Sequence, residues 1–116
     1  MNEITNLKPS VRISIVNPES ELKSVMGPGI ISLCKGIEEK GSLNAAAKGM
    51  QMAYSKAWRI MRDTEAALGL KLLERNGAHG STLTAKGKIL LNTYDALAKD
   101  LQRIAEAKFS ELLDSL

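Results

Sequence analysis

The chain of 116 residues is long enough for one domain with its own core, and its 44% hydrophobic content is typical of a soluble globular protein rather than a disordered one. Its net charge is +3, and it holds one histidine and one cysteine, so we expect no metal, no cofactor and no enzyme. Apolar runs of only a few residues exclude a membrane span. Because the chain opens without a secretory leader, we expect a cytoplasmic protein.

Positive charge is concentrated in the middle of the chain. Residues 41–91 hold eight basic and three acidic residues, whereas residues 1–40 hold five of each and residues 92–116 hold three basic and five acidic ones. No acidic residue lies between Gly41 and Arg62. This distribution is typical of a polyanion-binding surface, although an ordinary solvated face gives the same pattern.

The first predicted elements are a strand and a helix. Between residues 11 and 16 apolar and polar side chains alternate strictly, which predicts a half-buried strand. Pro28 is typical of the first turn of a helix, which we expect to extend to about residue 40. One apolar stripe of this helix comprises Ile30, Leu33, Cys34 and Ile37. Cys34 is therefore interpreted as a buried side chain rather than a reactive thiol.

Two more helices are predicted around a tight turn. Ser42 is placed to cap a short, alanine-rich helix from Leu43 to Met50. A third helix is expected from about Ala53 to Leu68 and is closed by Gly69. Its inward face, at helical spacing, comprises Ala57, Met61, Thr64 and Leu68. The remaining face is polar and positive.

A hairpin and a long helix complete the chain. Residues 71–75 and 81–84 are joined by a glycine-containing loop, which predicts a β-hairpin. Thr84 then caps a helix of about 45 Å that continues to the end of the sequence. Its apolar residues have the spacing of a coiled-coil seam, namely Leu90, Tyr94, Leu97, Leu101 and Ile104. Since this helix is longer than the domain beneath it, we expect it to pair with a second copy.

This order of elements predicts a mainly α, winged helix-turn-helix fold with a small antiparallel hairpin, an N-terminal strand and a long C-terminal dimerisation helix. Residues 1–84 are expected to be the DNA-binding domain and residues 85–116 the dimerisation helix. The third helix has about the width that a DNA major groove admits, and the hairpin would lie against the backbone or minor groove. The predicted DNA-binding residues are Ser42, Tyr54, Ser55, Lys56, Trp58, Arg59, Arg62, Arg75 and His79.

Three of these residues have more than one interpretation. Trp58 directly follows an inward position, so it either packs in the core, contacts DNA or orients Arg59. Tyr54 either packs its ring or presents its hydroxyl to a phosphate. His79 is either a wing contact or a plain surface residue, and a lone histidine in a loop is not expected to bind metal.

Five short motifs resemble the N-terminal domains of LysR-type regulators: Gly41-Ser42-Leu43, Ala46-Ala47, Leu68-Gly69, Leu72-Leu73-Glu74-Arg75 and Leu83-Thr84-Ala85-Lys86-Gly87. Tyr54-Ser55-Lys56-Ala57-Trp58 is more similar to the recognition helix of molybdate-responsive, ModE-type regulators. The resemblance implies a dimeric winged-helix domain that binds palindromic operator DNA. Ala53 departs from the serine cap that is common in this family. ModE-type sensors bind molybdate in a separate C-terminal module, so any molybdate sensing is expected only through another chain.

The sequence therefore predicts a sequence-specific, DNA-binding transcriptional regulator that acts as a homodimer on double-stranded DNA. Two alternatives remain open. One is a protein-interaction module that pairs through its long helix, with an incidental basic face. The other is a small oxyanion-binding protein, for which the sequence shows only generic lysines and arginines.

Overall fold

The structure is a computed structural model that describes residues 3–77 and 80–116. This part of the chain contains a short 3-10 helix, Glu3–Asn6, and four α-helices: α1 (Pro28–Lys40), α2 (Leu43–Gly49), α3 (Tyr54–Leu68) and α4 (Ala85–Asp114). Between α3 and α4 lies an antiparallel hairpin of two strands, β1 (Leu73–Arg75) and β2 (Ser81–Leu83). The predicted mainly α class, with its small hairpin, is confirmed.

The ends of the helices are set by local chemistry that the sequence predicts. The hydroxyls of Ser42 and Thr84 each accept a hydrogen bond from the backbone N–H three residues later, at 3.0 and 2.9 Å, and so cap α2 and α4. Gly41 and Gly69 end α1 and α3 in the left-handed conformation, with φ of 83° and 76°. Ala53, which precedes α3, makes no side-chain cap, because its methyl group cannot accept a hydrogen bond.

The core lies between α1, α2, α3 and the first turns of α4. The predicted apolar stripe of α1 is fully buried. Helices α1 and α2 approach so closely that a Cβ on Gly36 would lie 2.7 Å from the Cβ of Ala46. This contact explains the alanine at position 46, because a larger side chain there would separate the two helices. The largest side chains of the core with under 2% exposure include Met26, Leu33, Ile37, Met61, Leu72 and Leu91.

The hairpin is fixed to the helices at its base and at its far end. Leu73 pairs with Leu83 and both are buried, so the hairpin packs one end on the core. At the other end, the Ser81 N–H donates to the carbonyl of Gly41 at 2.9 Å. Gly80 lies against that same carbonyl at φ 90°, where a Cβ would clash. The hairpin is therefore held beside the turn that joins α1 and α2.

The predicted N-terminal strand is wrong, although its alternation is correct. Among the described residues, the segment 11–16 makes a single β-bridge, between Ile15 and Met26. Its two backbone hydrogen bonds have N to O distances of 3.0 and 2.9 Å. Ile13 and Ile15 are half-buried and pack on the core, as the alternating pattern predicts. Instead of a longer ladder, the Val11 N–H and the Ile13 carbonyl bond to side chains of a helix.

Side chains of α4 supply those hydrogen bonds. The Tyr94 hydroxyl donates to the carbonyl of Ile13 at 2.9 Å. The Gln102 side chain bonds twice, since its amide N–H donates to the carbonyl of Pro9 at 2.8 Å and its oxygen accepts from the Val11 N–H at 2.9 Å. The N-terminal segment therefore lies along α4, which bonds to three of its backbone groups.

Helix α4 extends well beyond the packed part of the molecule. Its 30 residues make it about 45 Å long, in a protein whose principal dimensions are 58 × 33 × 22 Å. Its buried residues all lie near its start: Gly87, Leu91 and Tyr94. No helix in residues 3–77 and 80–116 is both long enough and apolar enough to cross a membrane.

Candidate nucleic-acid interface

Helix α3 presents a polar, positive face to solvent. Ala57, Met61 and Thr64 are buried and hold the helix against the core. On the opposite side Ser55, Arg59 and Arg62 are exposed, and their i, i+4, i+7 spacing places them on one face of the helix. This is the face that the sequence predicts to contact DNA.

The cations of this face form no ion pair with any residue in 3–77 and 80–116. Within the described residues the ion pairs lie elsewhere: Lys35 with Asp95, Lys71 with Glu65, Arg103 with Asp100 and Lys108 with Glu111. Asp63 follows Arg59 by four residues, yet the ion pairs of the described residues do not include these two. Lys56, Arg59 and Arg62 thus remain available for an external anion, and this is the electrostatic condition for binding a polyphosphate backbone.

One flank of α3 meets the hairpin through aromatic side chains. The guanidinium carbon of Arg75, at the end of β1, lies 4.0 Å from the centroid of the Trp58 ring. The same guanidinium donates to the Tyr54 hydroxyl at 3.4 Å. The structure therefore brings Tyr54, Trp58 and Arg75 together, although Arg75 is 17 residues beyond Trp58 in the sequence.

The two aromatic residues combine a packing role with an exposed position. Trp58 is half-buried and packs on the core, and the cation over its ring is Arg75 rather than Arg59. Neighbouring residues of a helix point in different directions, so Trp58 cannot easily orient Arg59. Tyr54 is 43% exposed, with its hydroxyl bonded to Arg75 rather than buried.

Two further predicted residues lie at the edge of this cluster. Ser42 serves as the cap of α2, and it shares with Tyr54 and Arg75 the walls of an open cleft of about 210 Å³. His79, which was predicted as a wing residue, lies outside the described residues. The cleft therefore brings together residues from α2, α3 and the hairpin.

Glu65 is a structural anchor that sequence reasoning missed. Its buried carboxylate accepts hydrogen bonds from the N–H groups of Leu72 and Leu73, at 2.8 and 3.1 Å, and lies 3.7 Å from the Lys71 ammonium. These bonds fix the start of β1 against α3. Glu65 follows Trp58 by seven residues, or two helical turns, so both face the hairpin. That spacing was the signal in the sequence that one flank of α3 carries the wing.

The predicted pairing seam of α4 divides into a buried and an exposed part. Tyr94 is only 6% exposed and Leu90 packs on the protomer's own core, so these two stabilise the protomer. Leu97 and Ile104 are 46% and 60% exposed, and Leu101 between them is half-buried. Within the seam, the apolar surface available to a partner therefore begins at Leu97, because Leu90 and Tyr94 pack on the core.

The remaining candidates for reactive chemistry are buried or dispersed. Cys34 is fully buried in α1, and burial, followed by the charges of Glu38 and Glu65, raises the pKa of its thiol to about 12. The thiol is therefore protonated and shielded at neutral pH. In the described part of the chain no three His, Cys, Asp or Glu side chains are grouped so that they could hold a metal ion.

Comparison with known proteins places this geometry among bacterial regulators. Residues 32–88 match the family model described as bacterial regulatory helix-turn-helix protein, lysR family. The chain is 34% identical over 91 residues to the transcriptional regulator ModE of Haemophilus influenzae, which covers 75% of this chain and 34% of that protein. It is also 34% identical over 80 residues to the DNA-binding transcriptional dual regulator ModE of Escherichia coli K12, covering 66% of this chain and 30% of that protein.

A solved structure shows the same fold. The crystal structure of a complex between the CbnR DNA-binding domain and DNA aligns with a TM-score of 0.53 and 28% identity, covering 73% of this chain and 92% of that one. The chain spans about a third of the length of the curated relatives that it matches. The matched region contains α2, α3, the hairpin and the start of α4, which are the elements that form the positive surface.

Proposed function

Because residues 32–88 are a LysR-type helix-turn-helix domain, we propose that this chain is a transcriptional regulator that binds specific double-stranded DNA. The observation that carries the proposal is the exposed face of α3, on which Lys56, Arg59 and Arg62 have no carboxylate partner in residues 3–77 and 80–116. The relatives described as DNA-binding regulators, and the similarity to a domain crystallised with DNA, support the same function.

In the proposed complex, α3 enters the major groove. Arg59 follows Ser55 by one turn on the outward face, where a guanidinium can reach base edges and bond to guanine with two N–H groups. Lys71 and Lys88 flank the hairpin at exposed positions and would contact backbone phosphates. Sequence would thus be read by α3, and affinity would come largely from the surrounding cations.

The protein would act as a homodimer. Residues 1–84 would form the DNA-binding domain, and residues 85–116 would pair with the same helix of a second copy through Leu97, Leu101 and Ile104. Two protomers related by a two-fold axis present two copies of α3, so the DNA site would be an inverted repeat. Occupancy of that site would regulate transcription without any catalytic step. Since the ligand would be chromosomal DNA, we place the protein in the cytoplasm.

A gel-shift assay tests this function. The full chain is titrated against a duplex from upstream of its own gene and against a random duplex of equal length, at a stated salt concentration. We expect the upstream duplex to bind at least about tenfold more tightly, since specific complexes exceed nonspecific ones by larger factors than this. If neither duplex is bound at low salt, the DNA-binding function is wrong and a protein-interaction module becomes the better interpretation.

A further inference from the structure

We propose that Trp58 is a positioning residue, which holds Arg75 of the hairpin in place to bind a backbone phosphate beside the groove that α3 enters. This inference rests on the proposed DNA-binding function and adds a mechanical link between the hairpin and the recognition helix. Trp58 would act through Arg75 rather than contact DNA itself, since its ring lies under the Arg75 guanidinium and not on the outward face of α3.

The geometry holds the guanidinium at two points. Its carbon lies 4.0 Å from the Trp58 ring centroid, and one of its N–H groups donates to the Tyr54 hydroxyl at 3.4 Å. Tyr54 and Trp58 are four residues apart on α3, so they are neighbours along one flank. A side chain that belongs to β1 is therefore positioned by α3.

The backbone under Arg75 is also fixed. The carboxylate of Glu65, on the same flank of α3, binds the N–H groups at the start of β1. At the partner residue of Arg75 in the hairpin, the Ser81 N–H donates to Gly41. Both the backbone and the tip of Arg75 are thus restrained relative to α3, while the side chain remains exposed.

The charge of Arg75 is available to an external anion. In residues 3–77 and 80–116 its guanidinium forms no ion pair and one hydrogen bond, to the Tyr54 hydroxyl. Glu74 precedes it on the strand and points to the opposite face of the hairpin, because side chains alternate along a strand. Ring stacking covers one face of the guanidinium, and one N–H group donates to Tyr54. The other edge N–H groups stay free, and such groups can bind a phosphate with two parallel bonds.

Holding the side chain before DNA arrives has a thermodynamic consequence. A free arginine samples many rotamers and loses this freedom when it binds, whereas a stacked arginine has lost most of it already. Removing the Trp58 ring would therefore weaken the phosphate contact without removing any charge. This distinguishes a positioning role from direct contact between Trp58 and DNA.

A double-mutant cycle tests the link. We compare the full chain with Trp58→Leu, Arg75→Ala and the combined variant, and measure Kd for one duplex by fluorescence anisotropy over a range of salt concentrations. Arg75→Ala is expected to weaken binding by about tenfold, as for other charge-assisted hydrogen bonds, and Trp58→Leu by a similar or smaller factor. The combined variant should bind no more weakly than Arg75→Ala. The slope of log Kd against log salt concentration should fall by about 0.9 in Arg75→Ala. It should also fall in Trp58→Leu, because the phosphate contact of Arg75 is weakened there.

The matched control pairs Trp58→Leu with Arg59→Ala, a cation on the same helix that does not face the ring. In that cycle the losses should multiply. Losses that multiply for Trp58 and Arg75 as well, or a salt slope that Trp58→Leu leaves unchanged, overturn the proposal while leaving DNA binding itself intact. A wild-type chain that binds no duplex overturns the proposed function together with this inference.

Folding is checked in the same set of variants. If Trp58→Leu lowers the melting temperature into the assay range, Trp58→Phe replaces it, because a smaller ring keeps the packing and weakens the cation–π contact. Trp58 is the only tryptophan, so its emission in the DNA-free protein reports the contact directly. Arg75→Ala should shift that emission, and an unchanged spectrum contradicts the stacked geometry.

Discussion

Helices α3 and α4 are both amphipathic, but they expose opposite kinds of surface. The outward face of α3 carries Ser55, Arg59 and Arg62, whereas Ala57, Met61 and Ala67 on the other side are buried in the domain. The distal part of α4 exposes Leu97 and Ile104, while Gln102 binds the N-terminal segment. Helix α3 therefore exposes mainly cations, whereas the distal part of α4 leaves apolar side chains in contact with water.

This difference separates two kinds of ligand. Unneutralised cations favour a polyanion, since binding releases counterions and costs little desolvation. An exposed leucine and isoleucine seven residues apart favour an apolar helix of matching spacing, which a second copy supplies. We infer that recognition of DNA and pairing of protomers are separate properties, and that each can be removed without the other.

The largest expected effect follows from breaking the pairing surface. Leu97→Lys places a charge in the seam at a position that is 46% exposed in the protomer, so the fold of each protomer should survive. The variant should sediment as a monomer and should bind an inverted-repeat duplex at least about 100-fold more weakly, because the second half-site no longer binds intramolecularly. Its affinity for a single half-site should be unchanged.

Ile89→Lys is the matched control for this substitution. Ile89 is 62% exposed on the same helix but lies outside the seam, so this variant should remain a dimer. If Leu97→Lys also sediments as a dimer at micromolar concentration, or if the wild-type chain is a monomer there, the pairing role of α4 is wrong.

A smaller effect is expected from the positive face. Arg59→Ala should cost about 1–3 kcal/mol on the specific site and much less on random DNA, because a base contact is lost rather than a general attraction. Lys88→Ala, at an exposed position near the hairpin, should weaken both duplexes alike and lower the salt slope by about 0.9. Neither substitution should change the sedimentation coefficient.

Comparing Arg59→Ala with Lys88→Ala shows whether Arg59 contacts bases or only phosphates. Equal losses on specific and random DNA for Arg59→Ala would show that Arg59 only binds phosphate. Base reading would then have to come from Tyr54, Ser55 or Lys56.

Most of the fold could be predicted from local signals. The caps at Ser42 and Thr84, the glycines that end α1 and α3, and the apolar stripe of α1 depend on residues within a few positions of one another. Such patterns are legible in a sequence because the helix repeat determines which side chains share a face.

The contacts between distant segments could not be predicted in this way. The strand expected at residues 11–16 is wrong because, apart from the Ile15–Met26 bridge, its backbone bonds go to Tyr94 and Gln102, more than 80 residues away. The same contact moves Tyr94 from the expected pairing seam into the protomer's core. The stacking of Arg75 on Trp58 likewise depends on how the hairpin folds back on α3. The periodicity of one element does not specify its partner.

The buried thiol of Cys34 makes the stability of the core depend on pH. Burial raises the pKa of Cys34 from 9.0 to about 12, so the folded protein keeps this proton while the unfolded chain loses it above pH 9. The unfolded state then binds fewer protons, and stability should fall as pH rises from 9 towards 12. Urea unfolding of wild type and Cys34→Ala over this range measures the difference.

At pH 8 the same thiol reports whether the domain needs its partner. Cys34 should react with a thiol reagent only through unfolding, and the monomeric Leu97→Lys variant should react as slowly as the wild type. Rapid labelling of that variant alone would mean that pairing is required for the core to form.

In vitro selection tests the central claim most directly. The full chain is used to enrich bound duplexes from a random library, and the enriched sequences are aligned. If α3 reads bases and α4 pairs protomers, the selected sites should converge on an inverted repeat whose half-sites are separated by about one helical turn or a small multiple of it. A single unrepeated site, or a library that does not converge while DNA is still bound, would contradict the account.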